Sequence, residues 1–516
     1  MTLRRPRLAT RGAPFLLLLL CLIGLSFSLS VSKTHVSQPL PVDNGTDHEL
    51  ERWLEREVAV AWERLLANIH PDGTAVGVVV ASPSREHPNY WYTWTRDSAL
   101  TMRVIAIAYG DAAPGSAEEG KFSGLLWDYA AFSRRNQERP NLSGDEDSGG
   151  LGEPKFYVDG TPYNEPWGRP QNDGPALRAL TLMHFATTYL DRTSDLAKVA
   201  THLYAPALPA RTVIKSDLEH IARTWGSDSV ELWEEVRARS HFHTLQVQAA
   251  ALQVGAEFAV RMGDPDAGVY YAACAARVAD AARRHFDMKR GWVVQSLGIV
   301  GDDKGKKDGL DVAVMLAALQ VPPHTRIFAL HGVEVVGTAV ELMKRMAGAY
   351  NINKVVRTPN GFPIAPGIGR YVEDIYDGYD QTLGNPWVLA TAAYAELAYT
   401  ISTPPPPPPP PESHTPSPLP LATHRNHTSP LHQSLREVGD AFLRRVMRHA
   451  NADGTLSEQM NRESGFMQGA RELTWSYAGF LLAVRARGKG WGVGGGEEGG
   501  GGAEGGQLVM GARPAA

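Results

Sequence analysis

The six residues 231–236, Glu-Leu-Trp-Glu-Glu-Val, form the densest chemical group in the chain. An adjacent aromatic residue, Trp233, and like-charged neighbours, Glu231 and Glu235, favour the protonated form of a carboxyl group. A general acid needs that form, so we interpret Glu234 as a candidate proton donor. The alternative is the start of an amphipathic helix, because glutamates near a helix N-terminus interact favourably with the helix dipole.

The spacing within this segment limits which pairs of its carboxyl groups could act together as an acid and a base. On a helix, Glu231 and Glu234 share a face, with about 5 to 6 Å between their Cβ atoms. Hydrolysis with inversion needs an acid and a base about 6.5 to 9.5 Å apart, so that a water molecule fits between them. For such a reaction the base must come from another part of the chain.

Other segments combine aromatic side chains with Arg and Asp. Aromatic faces stack on the apolar faces of sugar rings, and Arg and Asp hold hydroxyl groups through charge-assisted hydrogen bonds. This composition suits a neutral, hydroxyl-rich ligand, although core packing is the alternative for any single tryptophan. The segments are residues 90–97, 150–156, 166–175, 369–374, 384–387 and 454–460.

The overall composition excludes several classes of protein. The chain has 516 residues, 51 Lys and Arg against 56 Asp and Glu, and a net charge of -5, so it lacks the basic excess that nucleic acid binding requires. Two cysteines, Cys21 and Cys274, are too few for a Cys-rich zinc site or a disulfide framework. His241 and His243 make only a weak metal pair, so we expect no metal or other cofactor.

The hydrophobic pattern predicts a mainly α-helical protein. About a dozen segments with helical periodicity are joined by long loops rich in Trp, Tyr, Asp and Arg, which favours helices closed into a ring with function on the loops. Strand-like alternation is confined to residues 78–80 and 292–294, and residues 301–309 are interpreted as an exposed turn. The predicted helices are residues 49–69, 97–109, 119–135, 173–189, 216–225, 242–262, 266–285, 323–349, 386–400, 431–449 and 471–487.

The N-terminus indicates secretion. Four arginines precede an almost wholly apolar stretch from Phe15 to Val31, which is typical of a signal peptide cleaved after about Ser30, and an uncleaved anchor is the alternative. Cleavage removes Cys21 and leaves Cys274 as a buried small hydrophobic residue. Asn-x-Ser/Thr triplets that agree with a secretory route begin at Asn44, Asn141 and Asn426.

The Gly and Pro residues are concentrated in two segments. Eight consecutive prolines begin at Pro404, within a Pro-rich insertion of about residues 403–430 that favours an extended conformation. Residues 488–516 form a Gly-rich tail that we expect to be disordered. The predicted organisation is therefore a signal peptide at 1–30, one catalytic domain at 31–487 and the tail.

Eight segments are similar, in family order, to the fungal glucoamylases of glycoside hydrolase family 15. They extend across roughly residues 47 to 485. They are Tyr-Thr-Trp-Thr-Arg-Asp-Ser (92–98), Gly-Leu-Gly-Glu-Pro-Lys-Phe (150–156), Trp-Gly-Arg-Pro-Gln-x-Asp-Gly-Pro-Ala-Leu-Arg (167–178), Leu-Trp-Glu-Glu-Val (232–236), Arg-Tyr-x-Glu-Asp (370–374), Gly-Asn-Pro-Trp (384–387), Ser-Glu-Gln (457–459) and Leu-Thr-Trp-Ser-Tyr-Ala (473–478).

The resemblance implies a fold, an activity and a set of partners. The fold is an all-α (α/α)6 barrel of two concentric rings of six helices. The activity is secreted, exo-acting hydrolysis of starch, maltodextrins and other α-glucans from their non-reducing ends, which releases β-D-glucose by inversion and cleaves α-1,4 bonds faster than α-1,6 bonds. We expect a monomer that binds neither nucleic acid nor, after cleavage of the signal, a membrane.

The resemblance also implies roles for individual residues. Glu234 is the general acid, Glu458 is the general base, and Glu231 belongs to the catalytic segment in a supporting role. Asp374 is a salt-bridge partner within the pocket. The residues implied to bind the substrate or shape its pocket are Tyr90, Trp94, Arg96, Asp97, Trp167, Leu232, Trp233, Glu235, Arg370, Trp387 and Trp475.

The chain departs from the family pattern at four points. Glu231 stands where the family usually has Asp, the loop 375–384 is longer, and Gly469 stands where the family often has Ser. We hypothesise that the missing hydroxyl at 469 changes the hydrogen bonding and pH dependence of Glu458. The tail stands in place of a starch-binding domain, which predicts weak binding to raw starch. The alternative functions are a related hydrolase of trehalose or dextran and a non-catalytic carbohydrate-binding barrel.

Overall fold

The computed structural model describes residues 47–403 and 430–488. The predicted signal peptide, most of the Pro-rich insertion, nearly all of the tail and the triplets at Asn44 and Asn426 lie outside the described residues. Within the described ranges there are thirteen α-helices. They are α1 His48–Ala67, α2 Thr95–Asp111, α3 Ala117–Gln137, α4 Asp173–Thr193, α5 Leu196–His202, α6 Val213–Thr224, α7 Phe242–Arg261, α8 Pro265–Arg283, α9 Ala313–Leu319, α10 Val333–Ala349, α11 Val388–Ser402, α12 Pro430–His449 and α13 Thr474–Gly488.

Six of these helices form a closed inner ring. Helices α2, α4, α7, α9, α11 and α13 contact one another in that order, and α13 contacts α2 to close the ring. The inner helices are buried around much of their circumference; in α4, for example, every residue from Asp173 to Met183 is buried. Helices that are apolar on nearly all faces must lie in the middle of a large fold.

Six further helices form the outer ring. The outer helices α1, α3, α6, α8, α10 and α12 pack in the same order against the inner helices α13, α2, α4, α7, α9 and α11. The outer helices are amphipathic: α6 buries Val213, Ile214, Leu218 and Ile221 and leaves Arg223 and Thr224 toward solvent. The arrangement confirms the predicted (α/α)6 barrel, and the short α5 is an addition to the two rings.

The strands are short and tie the connecting loops together. β1 Thr93–Trp94 pairs antiparallel with β2 Lys155–Phe156, which places Trp94 opposite Lys155. β8 Gln459–Met460 pairs in the same way with β9 Met467–Gln468. The other strands form one sheet in the order β3-β4-β7 and a two-stranded sheet of β5 and β6: β3 Ser229–Val230, β4 Arg237–His241, β5 Phe286–Asp287, β6 Trp292–Val293 and β7 Ser296–Ile299.

Several local predictions were wrong. The helix predicted over 323–349 is a 3-10 turn, Pro323–Thr325, followed by irregular chain up to Gly332 and then α10. The seven-residue helices α5 and α9 were missed because two turns are too short to establish a period. Residues 78–80 form no strand, since only Val79 makes a bridge, to Ile69.

The buried residues form one main core that includes Cys274, whose thiol is free and fully buried as predicted. Among the described helices, none has the length and apolar character needed to cross a bilayer.

Candidate active site

A cavity of about 510 Å³ lies at one end of the barrel, where loops lead into the inner helices. Thirteen of the fourteen site residues predicted from the sequence line it, and Glu231 is the exception. The lining residues lie in the segments that lead into five inner helices, α2, α4, α7, α11 and α13, or in the first turn of α2 and α13, so the ring of helices holds these segments together. The thirteen are Tyr90, Trp94, Arg96, Asp97, Trp167, Leu232, Trp233, Glu234, Glu235, Arg370, Trp387, Glu458 and Trp475.

Glu234 sits in a tight turn and not in a helix, so the helical interpretation of residues 231–236 was wrong. The Glu234 amide donates to the Glu231 carbonyl oxygen at 2.9 Å, and Glu234 has φ +69°. The left-handed region is strained for a glutamate and persists where the surroundings fix it. Gly168 packs so closely that a Cβ there would lie 2.9 Å from the Glu234 carbonyl oxygen.

The buried carboxylate of Glu231 holds this turn together through hydrogen bonds. Its carboxylate accepts hydrogen bonds from the amides of Trp233, Glu235 and Val236 at 2.5, 3.1 and 3.2 Å. The Lys306 ammonium adds a fourth bond at 3.0 Å. Because Glu231 is fully buried and does not line the cavity, its carboxylate shapes the turn and does not face a ligand.

The Glu234 carboxyl group is oriented by three N–H donors on one oxygen. Trp94 Nε1, Trp167 Nε1 and Gln171 Nε2 donate to Oε1 at 2.8, 2.9 and 2.9 Å. All hydrogen bonds that described residues make to this carboxyl group go to Oε1, and none of them goes to Oε2. The tryptophans that contact Glu234 are therefore distant in sequence, whereas the adjacent Trp233 donates to Asp311.

Glu235 has the opposite surroundings. Arg370 Nη2 lies 2.7 Å from one carboxylate oxygen, and Lys306 Nζ and the Tyr371 hydroxyl lie 2.9 and 2.7 Å from the other. Burial alone would raise the pKa of Glu235, but Arg370, Lys306 and Tyr371 lower it to about 2. Glu235 therefore stays ionised and can accept hydrogen bonds from sugar hydroxyls but cannot donate a proton.

Arginine and aspartate complete the polar wall. Arg370 forms a two-point ion pair with Asp374 at 2.8 and 2.6 Å, as the sequence predicted. Arg96 donates to Gln171 at 2.8 Å and to Asp173 at 3.2 Å, with Glu234 Oε1 at 3.7 Å.

The neighbouring Asp97 adds a carboxyl group to the three glutamates that line the cavity. Its carboxylate lies 3.6 Å from Arg96 Nε. Burial raises the pKa of Asp97 to about 6, although the charge of Arg96 opposes this.

Glu458 is buried more deeply than Glu234, and its Oε2 accepts hydrogen bonds from the Gln459 side-chain amide at 3.3 Å and from a tyrosine hydroxyl. The Tyr376 hydroxyl donates to Oε2 at 3.4 Å, and Tyr90 and Tyr376 share a hydrogen bond of 3.0 Å. Burial raises the pKa of Glu458 to about 8, against the hydrogen bond from Tyr90 and the charge of Arg370. The surroundings of Glu458 therefore favour the protonated form of its carboxyl group.

Gly469 lies directly against this carboxyl group. It has φ +76°, and a Cβ built there would lie 2.5 Å from Glu458 Oε2 and 3.3 Å from Gly378 Cα. The hairpin that includes Gly378 also carries Tyr376, whose hydroxyl contacts Glu458. Two of the noted sequence departures are thus in contact, since the 375–384 loop occupies the space beside Gly469.

Three tryptophans cluster at the base of the cavity. The rings of Trp233 and Trp475 stack with 6.2 Å between centroids, and Trp387 lies 5.7 Å from Trp233. All three are buried residues that line the cavity, so the small part of each that remains accessible gives a neutral ligand an apolar surface.

Sequence reasoning missed several residues that the fold brings to the site. Lys306 lies in the segment interpreted as an exposed turn, but it is buried against Glu231 and Glu235, so that interpretation was wrong for this residue. Its glycine-rich surroundings gave no signal of burial. The other missed residues lining the cavity include Tyr92, Lys155, Tyr163, Tyr376 and Gln381.

An (α/α)6 barrel with three glutamates in one aromatic, arginine-containing cavity, two of them available as an acid and a base, is a scaffold for glycoside chemistry. The profile of the family described as Glycosyl hydrolases family 15 matches residues 59–403 and 419–485. The chain belongs to this family and is a glycoside hydrolase.

Named relatives agree with this assignment. The chain is 34% identical over 462 residues to Glucoamylase 1 of Rhizopus oryzae, covering 87% of this chain and 72% of the relative. It is 32% identical over 475 residues to a glucoamylase of Blastobotrys adeninivorans, covering 88% and 74%. Among solved structures it is similar to the glucoamylase of Saccharomycopsis fibuligera, with a TM-score of 0.72, 27% identity, and coverage of 88% and 98%.

Proposed function

We propose that the chain is an exo-acting glucan 1,4-α-glucosidase that releases β-D-glucose from the non-reducing ends of starch and malto-oligosaccharides by inverting hydrolysis. The observation that carries the proposal is the placement of Glu234 and Glu458 in one cavity with opposite surroundings. The names of the relatives, which are glucoamylases, support the substrate class.

In this mechanism Glu234 is the acid. Three N–H donors hold Oε1, so the proton on Oε2 passes to the glycosidic oxygen as the bond to C1 breaks. The resulting carboxylate is the form that these donors stabilise, because hydrogen bonds to a charged acceptor are stronger than those to a neutral one.

Glu458 is the base. As a carboxylate it accepts a proton from a water molecule that attacks C1 from the opposite face, which inverts the anomeric configuration. The separation of about 6.5 to 9.5 Å expected for this pair stays a prediction. Arg96, Asp97, Glu235 and Arg370 are suited to hold the hydroxyl groups of the terminal glucose, because they offer charged donors and acceptors around the cavity.

Exo-action follows from the position of the cavity. The cavity lies at one end of the barrel, above the cluster of Trp233, Trp387 and Trp475. These three tryptophans belong to the main hydrophobic core, which supports a cavity that is closed on this side and receives a glucan chain by its end. We further propose that the protein is secreted after removal of residues 1–30, which N-terminal sequencing of protein from the culture medium would test.

Incubation with maltoheptaose, followed by NMR of the anomeric protons, tests the proposed reaction. We expect glucose as the first product, with the β-anomer appearing before mutarotation supplies the α-anomer. Early α-glucose would exclude inversion, and maltose or longer products at early times would exclude exo-release of glucose. Parallel assays on trehalose and dextran, with maltose as reference, would reveal a different preferred linkage.

A further inference from the structure

Lys155 is a buried cation surrounded by aromatic rings. Its side chain lies on β2 and is only 2% exposed. Its Nζ lies 3.5 Å from the ring centroid of Trp167, 4.2 Å from those of Tyr92 and Tyr163, and 4.6 Å from that of Trp94. Across the described ranges, no carboxylate lies within ion-pair distance of this ammonium group. Cation–π contacts are therefore what hold a charge that is otherwise costly to bury.

Two of the four rings connect this cation to the proposed acid. Trp94 and Trp167 each present a ring to Lys155 and donate Nε1–H to Glu234 Oε1, at 2.8 and 2.9 Å. The β1–β2 pairing fixes part of this geometry by placing Trp94 opposite Lys155. A cation over an indole ring strengthens the ring N–H as a donor, because neighbouring polar groups polarise one another in a low-dielectric site.

We propose that Lys155 is a positioning residue for the acid, whose ammonium polarises the indole N–H groups of Trp94 and Trp167 and so stabilises the carboxylate that Glu234 forms. This inference rests on the proposed function. The proton of Glu234 goes to the glycosidic oxygen, the negative charge left behind is shared with Oε1, and Lys155 keeps its own protons throughout. Lys155 thereby affects the rate of leaving-group departure without needing to contact the substrate.

The charged groups around Lys155 and Glu234 come from several elements of the fold. Lys155 is approached by the hydroxyl-bearing rings of Tyr92 and Tyr163 and by the charges of Glu234 and Arg169. Burial lowers the pKa of Lys155 to about 8; the charge of Glu234 opposes this change and Arg169 adds to it.

On its other side, Glu234 faces Arg96, and Asp97 interacts electrostatically with both. Because burial lowers the pKa of Lys155 only to about 8, its ammonium group stays charged at acidic pH.

Two variants of the full chain test the proposal on two substrates. Lys155→Met keeps the length and apolar contacts of the side chain but removes the charge, and sulfur packs well against aromatic rings. Lys155→Arg keeps the charge. Maltoheptaose needs protonation of its leaving group, whereas α-D-glucosyl fluoride releases a weakly basic fluoride ion that needs little help from an acid.

For Lys155→Met we expect kcat on maltoheptaose to fall about tenfold, which lies within the range of a cation–π interaction. On glucosyl fluoride we expect a change of less than about twofold, since the acid contributes little to that reaction. The alkaline limb of the profile of kcat/KM against pH should move up by about half a unit, and Lys155→Arg should restore it. KM for maltoheptaose should stay near the wild-type value.

Three outcomes separate this inference from the proposed function. Equal losses on both substrates with an unmoved alkaline limb would overturn the role of Lys155 and indicate a merely structural one. A Lys155→Arg variant whose alkaline limb matches that of Lys155→Met would also overturn it, because the charge would then be irrelevant. Wild-type protein that releases glucose from neither substrate would instead contradict the proposed function.

Discussion

The surroundings of Glu234 and Glu458 differ in almost every physical respect, although the two side chains are chemically identical. The side chain of Glu234 is 19% exposed, whereas Glu458 is 1% exposed as a residue. Glu234 receives three N–H hydrogen bonds on Oε1, whereas Oε2 of Glu458 receives a longer N–H bond from Gln459 and a hydroxyl bond from Tyr376, and it lies beside the Gly469 backbone. In the proposed reaction one carboxyl group gains a negative charge and the other loses one.

The comparison indicates how one cavity assigns opposite tasks to identical groups. Donors that prefer a charged acceptor are gathered where charge develops, around Glu234 Oε1. Burial, which disfavours charge, is greatest around Glu458, whose neutral form results when it accepts a proton. Glu235 shows a third case, because Arg370 and Lys306 keep its carboxyl group ionised.

The largest effect that we predict separates the two roles directly. Glu234→Ala and Glu458→Ala should each reduce kcat on maltoheptaose by about 10²–10⁴-fold. Added azide should restore activity to Glu458→Ala, since this small anion attacks without a base, but not to Glu234→Ala, whose leaving group still lacks a proton. Rates measured with and without azide check this, and rescue of the Glu234 variant alone would reverse our assignment.

The second prediction concerns the space beside Glu458. Gly469→Ser places a Cβ 2.5 Å from Oε2, so the base must move, and a displacement of about 1 Å can cost about 10²-fold in rate. A side chain at 469 would crowd both Glu458 Oε2 and Gly378 Cα, so this glycine and the adjacent hairpin fit together sterically.

The control for this variant is Gly361→Ser. Gly361 has φ +87° but no atom within 4 Å of a built Cβ, so it reproduces the backbone strain without the clash. We expect kcat to stay near the wild-type value in the control. A Gly469→Ser variant with wild-type kcat would show that the carboxyl group adapts without loss.

The third prediction tests the hydroxyl donors. Tyr376→Phe removes a donor that favours the ionised form of Glu458, so the pKa of Glu458 rises further and the acidic limb of the profile of kcat/KM against pH moves to higher pH. We expect a shift of about half to one unit. Tyr399→Phe, which removes a buried hydroxyl bonded to Asp440 instead, should leave the profile in place. If the acidic limb of the Tyr376→Phe profile did not move, groups other than Tyr376 would determine the pKa of Glu458.

The smallest effect compares the base with a buried glutamate outside the cavity. Burial, then Asp453, raises the pKa of Glu57 to about 8. A group whose pKa is higher in the folded state than in the unfolded state stabilises the fold at low pH. For Glu57 this contribution is complete below pH 4.5, its pKa in the unfolded chain, and is lost as the pH rises toward 8, its pKa in the folded chain.

Glu57→Gln should therefore raise Tm at pH 8 by about 1–3 °C while changing it little at pH 4. Thermal unfolding at both pH values checks this, with kcat as an internal control that should not change. Equal Tm changes at the two pH values would show that the titration of Glu57 does not contribute to the pH dependence of stability.

The sequence identified most of the site but not its geometry. Apolar periodicity located most of the long helices within a few residues, because each buries a face that repeats every three or four positions, but it started α10 at residue 323 whereas the helix begins at Val333. It failed at α5 and α9, which are too short, and at residues 231–236, where the turn depends on the buried Glu231 carboxylate and Lys306 from a distant loop.

The sequence by itself determined the helical class of this protein and, through eight ordered segments, the residues that meet in the cavity. Only the tertiary structure decided which neighbour acts on which carboxyl group. The partners of Glu234 are 140, 67 and 63 positions away in the chain, so their contacts depend on ring closure and not on local preference. Lys155 and Gly469 acquire their importance in the same way, because burial and close approach are properties of the packed barrel.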